Sequence, residues 1–166
     1  MITIDPFAER DWTRLRAIYQ DGIDTGQATF EREAPAWPAF DATHLPIGRL
    51  KASRDGHVAG WAALSPVSRR AVYAGVAELS IYVDRGARGA GVGSALLAAI
   101  VTASEAHGIW TLQASSFPEN LASLRLQARF GFRVVGTRQR IAAQNGLWRD
   151  TLLSERRSAA VGIERP

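Results

Sequence analysis

The chain has 166 residues, 46% hydrophobic and 22% charged, a balance that suits one globular domain with a substantial core. Having no cysteine, it can form no disulfide, no thiolate nucleophile and no Cys-ligated zinc. The formal charge of +4 is carried almost wholly by scattered arginine, with Lys51 the single lysine, and no apolar run is long enough to span a bilayer; neither nucleic acid nor a membrane is an expected partner.

Residues 1–4 read as a short first strand, with Ile2 and Ile4 on one face. Asp11 is placed to cap a helix whose stripe is Trp12, Leu15, Ile18 and Tyr19, ending near Gly22. The polar stretch 23–31 then carries one aromatic, Phe30, whose spacing favours a residue tucked under a surface loop over one in a substrate loop. Residues 34–44, interrupted by Pro35 and Pro38, make at best a short helix. The Asp55-Gly56 pair marks a hairpin turn between strands at 46–54 and 57–64.

Residues 76–83 alternate. Ala77, Leu79, Ile81 and Val83 point one way, and Glu78, Ser80 and Tyr82 the other. A break follows, then Arg88 and the run Gly89-Ala90-Gly91-Val92-Gly93-Ser94, which opens a helix with Leu96, Leu97 and Ile100 on one stripe. A strand feeding a glycine-rich turn into a helix is a way to build an anion site, because the first N–H groups of a helix have no internal partner. Glycine lets a diphosphate approach the backbone, and Arg88 can reach its oxygens. The run is neither a Walker loop nor a dinucleotide fingerprint, since it lacks Gly-Lys-Ser/Thr and has Ser94 where the third glycine of the latter belongs.

A strand at 109–115, a helix from Asn120 to about Gly131, a strand at 132–137 and a last strand at 147–153 after the Asn145-Gly146 turn complete the order. That order, β-α-α-β-β-β-α-β-α-β-β, predicts an α/β (α+β) fold with one mixed sheet and helices on both faces. The expected domain is 1–154, with a frayed tail at 155–166. Trp110 and Trp148 are expected in the core. His44, His57 and His107 lack metal-ligand spacing, so no metal is assigned. In the absence of a leader or anchor signal, a cytoplasmic location is expected.

Arg88-x-x-Gly91-x-Gly93 after a strand resembles the acyl-CoA signature of the GNAT N-acetyltransferase superfamily. The order of elements agrees with that fold over about residues 2–154. The segments 77–83, 120–123, 130–132 and 146–150 further resemble its phosphinothricin acetyltransferase branch. The resemblance implies a mostly antiparallel twisted sheet and acetyl-CoA as co-substrate. It implies transfer to the amine of a small molecule, in that branch phosphinothricin or a methionine sulfone or sulfoximine. The cofactor would lie against Ile81, Tyr82, Val83, the run Arg88, Gly89, Ala90, Gly91, Val92, Gly93 and Ser94, and Asn120, which also reads as a helix cap. Backbone N–H groups near 81–83 would polarise the thioester carbonyl.

Glu78 is the candidate catalytic base. A carboxylate on a strand covered on both faces needs a reason, and a solvated or ion-paired position is the alternative. Phe30, Arg70, Tyr73 and Ser80 would form the acceptor side, Arg70 by pairing with a substrate carboxylate. One position departs: Gln127 stands where the branch carries His or Tyr, and an amide cannot protonate a leaving thiolate. Two further readings are open, acetylation of another amine (a polyamine, an aminoglycoside or a protein N-terminus) and a CoA-binding sensor with little turnover. The branch also commonly forms homodimers.

Overall fold

The protein is described by a computed structural model in which residues 1–164 are placed. The elements occur in the expected order: β1 (Ile2–Pro6), α1 (Trp12–Asp24), α2 (Trp37–Thr43), β2 (Leu50–Arg54), β3 (His57–Pro66), β4 (Val76–Val83), α3 (Val92–Ala106), β5 (Thr111–Ser116), α4 (Leu121–Arg129), β6 (Arg133–Gln144) and β7 (Leu147–Arg157). They form one seven-stranded sheet in the order β1-β2-β3-β4-β5-β7-β6. Only the β4–β5 pair is parallel, and α3 makes the crossover between them.

Two cores sandwich the sheet. On one face an aromatic cluster of Phe7, Trp12, Phe40 and Trp61, bordered by Trp37 and Tyr82, holds α1 and α2 to β3. Trp61 is fully buried, and its indole N–H donates to the Leu15 carbonyl at 3.1 Å, so this large ring leaves no unpaired polar group. On the other face, Val92, Leu96, Leu97 and Ile100 of α3 pack on Ala52, Ala62, Leu64 and Leu112. The alternation along β4 divides as expected. Ala77, Leu79, Ile81 and Val83 belong to the α3 core, while Tyr82 stacks on Trp61 with ring centroids 4.9 Å apart.

The N-terminal boundary of α1 differs from expectation. The Asp11 carboxylate makes no cap on α1; it accepts from the Ala8 N–H at 3.0 Å and from Lys51 Nζ at 2.6 Å. It therefore closes the short turn ahead of the helix and ties it to β2. Burial works against the charged form of Asp11, but the Lys51 and Ala8 hydrogen bonds and the charges of Lys51 and Arg10 outweigh it and lower its pKa.

Two further expectations are corrected. The chain is not frayed from Glu155, because β7 pairs with β5 through Arg157 and Ser158 is buried. Polar contacts rather than apolar burial hold this end: Arg156 pairs with Glu105 at 3.0 Å, and the Ser158 hydroxyl donates to the same carboxylate at 2.8 Å. The expected tail also included Arg165 and Pro166, which lie outside the described residues. Trp148 is not a core residue; it is 66% exposed, in a strip with Val134, Val135, Ile141 and Leu147 on the outer hairpin β6–β7. Trp110 is half-buried and belongs to neither core; it lies over Gly75, where a Cβ would stand 2.0 Å from its ring.

Candidate active site

The site arises where the parallel pair comes apart. β4 and β5 are in register at only three positions, Val76 with Thr111, Ala77 with Leu112 and Glu78 with Gln113. β4 runs on to Val83 paired with β3 alone, so its backbone from Leu79 onward has no strand partner on the β5 side. A cleft of about 1030 Å³ opens in the resulting wedge.

Glu78 stands at the apex of that wedge. Gln113 Nε2 donates to Glu78 Oε2 at 2.7 Å, which fixes the carboxylate, and the other oxygen has no protein donor among the described residues. Glu78 forms no ion pair with any described residue, so the reading of it as a salt-bridge partner finds no support here. Ser80 and Tyr82 follow on the same face and also line the cleft. Burial, with Tyr19 beside it, pushes the Tyr82 phenol well above its ordinary pKa, so it is neutral at working pH.

At the far end of β4 the Asp84 carboxylate accepts from the Gly86 N–H at 2.8 Å and shapes the turn into the glycine run. Gly89 and Gly91 have φ of +75° and +87°, left-handed values that favour glycine. Gly91 is the residue from which α3 starts, and the N–H groups of Val92, Gly93 and Ser94 form its open first turn. Gly93 has a different role: a Cβ there would come within 3.2 Å of Leu126, so this glycine lets α4 lie close to α3. Arg88, Gly89, Gly91, Val92, Gly93 and Ser94 all line the cleft, as do Ile81, Val83 and Asn120; Ala90 does not. The open helical turn, the left-handed glycines and Arg88 suit a diphosphate.

Asn120 does cap α4, its Oδ1 accepting from the Ser123 N–H at 3.2 Å, and its Nδ2 also donates to the Gln27 carbonyl at 3.2 Å. Phe30 lines the cleft together with Thr25, Ala28, Thr29 and Glu31, which decides between its two readings in favour of the loop as a cleft wall. Arg70 and Tyr73 do not line it. They sit on an exposed turn with the Arg70 guanidinium 5.4 Å from the Tyr73 ring centre. The reason is one of direction, since the wedge opens from Glu78 toward Val83 and these residues precede β4 at its other end.

Gln127 is 6% exposed and lines the cleft from α4. Its Nε2 donates to Ser116 Oγ and Ser123 Oγ, both at 2.9 Å, while its Oε1 is buried without a partner. Both serine oxygens accept from the amide and lie 3.5 Å from each other, so one hydroxyl can donate to the other while the second keeps its hydrogen for another acceptor. Gln113, Ser116, Ser123 and Arg138 were not singled out in the sequence. Even Gln113 gives no signal of its own, because β5 is rich in Thr and Ser and its polar residues alternate with only Leu112 and Ala114. No group of three or more His, Cys, Asp or Glu among the described residues is disposed to hold a metal.

The family model of the acetyltransferase (GNAT) family matches residues 11–132. The chain belongs to this family. It is therefore an N-acetyltransferase, and acetyl-CoA is its co-substrate. It is 32% identical to a phosphinothricin N-acetyltransferase of Streptomyces coelicolor, over 93% of this chain and 95% of the relative. An L-methionine sulfoximine/L-methionine sulfone acetyltransferase of Pseudomonas aeruginosa is also 32% identical, over 84% of this chain and 85% of its own. Among solved structures, a GNAT phosphinothricin acetyltransferase of Sinorhizobium meliloti in complex with AcCoA superposes with a TM-score of 0.88 at 26% identity. That superposition covers 99% of this chain and 92% of the other. No helix among the described residues is long and apolar enough to cross a membrane.

Proposed function

We propose that this acetyltransferase acts on the α-amine of a small amino acid of the phosphinothricin or methionine sulfone/sulfoximine type. The observation that carries the reading is the make-up of the cleft. Glu78 stands at the apex of the wedge, a second carboxylate, Glu31, lies on the near wall, and Arg138 of β6 lines the same cleft with no ion pair among the described residues. A base for an ammonium and a free guanidinium for a carboxylate suit an amino acid. A polyamine could place a second ammonium near Glu31 but would leave Arg138 facing positive charge, whereas an amino acid offers Arg138 a carboxylate. Phe30 and Ile141 supply apolar surface for the side chain. The names of the two curated relatives support the same class. Arg138 thus takes the part that Arg70 was expected to play.

In this reading the acyl carrier lies along the unpaired edge of β4, with its diphosphate on the first turn of α3. Glu78 takes a proton from the ammonium, directly or through water. The freed amine adds to the thioester carbonyl with formation of a C–N bond; as the C–S bond breaks CoA leaves as the thiolate, and the nitrogen gives up its second proton to that thiolate or to water. Gln127 cannot supply a proton at that point, but one of the Ser116 and Ser123 hydroxyls that it holds can donate a hydrogen bond to the developing charge. A free thiol has a pKa near 8.5, so the thiolate departs without prior protonation.

The test is thiol release from acetyl-CoA with phosphinothricin, L-methionine sulfone, its methyl ester, spermidine, an aminoglycoside and a peptide with a free N-terminus. The expected result is a kcat/KM for one of the free amino acids at least tenfold above all the others. Preference for spermidine or for the methyl ester would overturn the assignment.

A further inference from the structure

The segment between α1 and α2 that forms the near wall of the cleft has little holding it from within. From Thr25 to Glu31 it has no helix or strand, and Gly26 stands at φ +67°. Its internal bonds are short-range ones, such as the Gln27 N–H to Thr25 Oγ1 at 3.1 Å and the Glu31 N–H to Thr29 Oγ1 at 3.2 Å. Its first residues are tied to α1 by the Thr25 and Gly26 N–H groups, which donate to the Gly22 and Ile23 carbonyls at 3.2 and 2.9 Å, and Thr29 meets the Tyr19 and Tyr82 hydroxyls; a larger set of bonds comes from the opposite half of the sheet. Arg149 of β7 donates through Nη1 to the Gly26 carbonyl at 2.9 Å and to Gln144 Oε1 at 2.6 Å. Through Nη2 it donates to Gln27 Oε1 at 3.0 Å and pairs with Glu119 at 3.2 Å. Gln144, held in this way, donates from Nε2 to the Thr29 carbonyl at 2.9 Å, and Asn120 takes the Gln27 carbonyl.

The same guanidinium lies 3.8 Å from the centre of the buried Phe117 ring, which in turn meets Phe30 edge-on at 4.9 Å. Arg149 is only 17% exposed and does not line the cleft. The bonds from Arg149, Gln144 and Asn120 to Gly26, Gln27 and Thr29 span 93 to 123 residues of sequence and join the half of the sheet that carries β4 to the half that carries β6 and β7. At the apex those halves share three register positions; Arg149 is a second junction, across the mouth.

We propose that Arg149 is a positioning residue for the reaction: it touches neither substrate, and it holds the 25–31 segment so that Thr29 and Phe30 form a fixed acceptor wall facing the wedge. The inference rests on the reading of the cleft given above. The side chain must be arginine. Four acceptors spread around one plane and an aromatic ring beneath it match a guanidinium fork, whereas a lysine ammonium offers one point charge and no plane to stack. Through the bonds that Arg149 and Asn120 make to the same residue, Gln27, the acceptor wall is also tied to the cap of α4, which flanks the glycine run.

The test compares wild type with R149K and R149A in two measurements. Hydrogen exchange of the free protein is expected to be at least tenfold faster at the amides of residues 26–31 in both variants, with the amides of α3 and β3 unchanged. Steady-state kinetics with L-methionine sulfone at saturating acetyl-CoA is expected to show the acceptor KM raised at least tenfold, with kcat and the acetyl-CoA KM within about threefold. R149K keeps the charge and stem and decides the question if R149A does not fold. Unchanged exchange at residues 26–31, or rescue of both measurements by lysine, overturns the proposal. Wild type that leaves L-methionine sulfone unacetylated overturns the acceptor assignment instead; the exchange measurement then decides the role of Arg149 by itself.

Discussion

Glu78 and Gln113 are the last residues of β4 and β5 to sit in register, and their side chains are joined by a 2.7 Å hydrogen bond at the point where the strands part. Beyond them lies the cleft. The closing contact of the sheet and the first contact of the site are therefore the same pair. Gln113 has no proton to exchange; it occupies one oxygen of the carboxylate and sets the direction of the other.

Glu78→Gln is expected to lower kcat/KM by roughly 10²–10⁴, the usual contribution of general acid–base catalysis. Gln113→Leu, which leaves the carboxylate present but unfixed, is expected to lose about tenfold in kcat. The measurement is steady-state thiol release from acetyl-CoA with L-methionine sulfone. A Glu78→Gln variant within about threefold of wild type would remove Glu78 as the base.

Gly91→Ala separates backbone strain from crowding. At φ +87° an alanine costs about 1–2 kcal/mol, yet its Cβ would meet only Ile2 Cδ1 at 3.8 Å. The expected outcome is a raised acetyl-CoA KM with the acceptor KM within about twofold, because the distortion falls on the first turn of α3. Gly93→Ala, which pushes on Leu126, is expected to lower the melting temperature as well. Equal effects of Gly91→Ala on both substrates would argue against this turn as the diphosphate site.

Gln127→Leu tests whether the buried amide serves stability or the reaction. It forfeits two hydrogen bonds, each worth about 1 kcal/mol, and removes an orphaned carbonyl whose burial costs about 1–3 kcal/mol. Stability is expected to change by less than about 1 kcal/mol in chemical denaturation. kcat is expected to fall, because the two serine hydroxyls lose the group that holds them. A stable variant with unchanged kcat would leave the amide without a part in turnover.

His44 stacks on Phe40 with ring centroids 3.9 Å apart, and burial, helped by the nearby charge of Arg49, depresses its pKa against the pull of the Phe40 carbonyl. In the unfolded chain the ring titrates near its ordinary value of about 6.5. Below that value the unfolded state binds the proton that the folded state resists, so this contribution to stability is full above pH 6.5 and is lost as pH falls. Thermal melts from pH 7.5 to 5.5 are expected to show a falling melting temperature whose slope is smaller in His44→Gln. Equal slopes would assign the acid sensitivity elsewhere.

What could be read from sequence here was local. Asp55-Gly56 and Asn145-Gly146 announced their hairpins because both members of each pair sit at positive φ, a conformation that few other dipeptides accept. The alternation of 76–83 and the stripe of α3 are periodic, so strand, glycine turn and helix are legible, and with them one side of the cleft. Arg149, by contrast, meets Gly26 at a separation of 123 residues and Gln144 at five, and neither distance has a period that would announce it. Arg70 was misplaced because proximity in sequence to β4 says nothing about which end of the strand the cleft occupies. The end of β7 looked frayed because its anchors are ion pairs with Glu105 and Glu155, and composition records charge without recording partners.

The Lys51–Asp11 pair, which ties the turn before α1 to β2, has a chemical consequence beyond packing. Lys51 carries the only side-chain amine in the protein, and that amine is hydrogen-bonded at 2.6 Å with the side chain 19% exposed. A catalyst that prepares amines to attack acetyl-CoA thus carries almost no side-chain amine of its own to compete. Its arginines keep their positive charge without offering a site for acylation, so it can work at high acetyl-CoA with little self-modification.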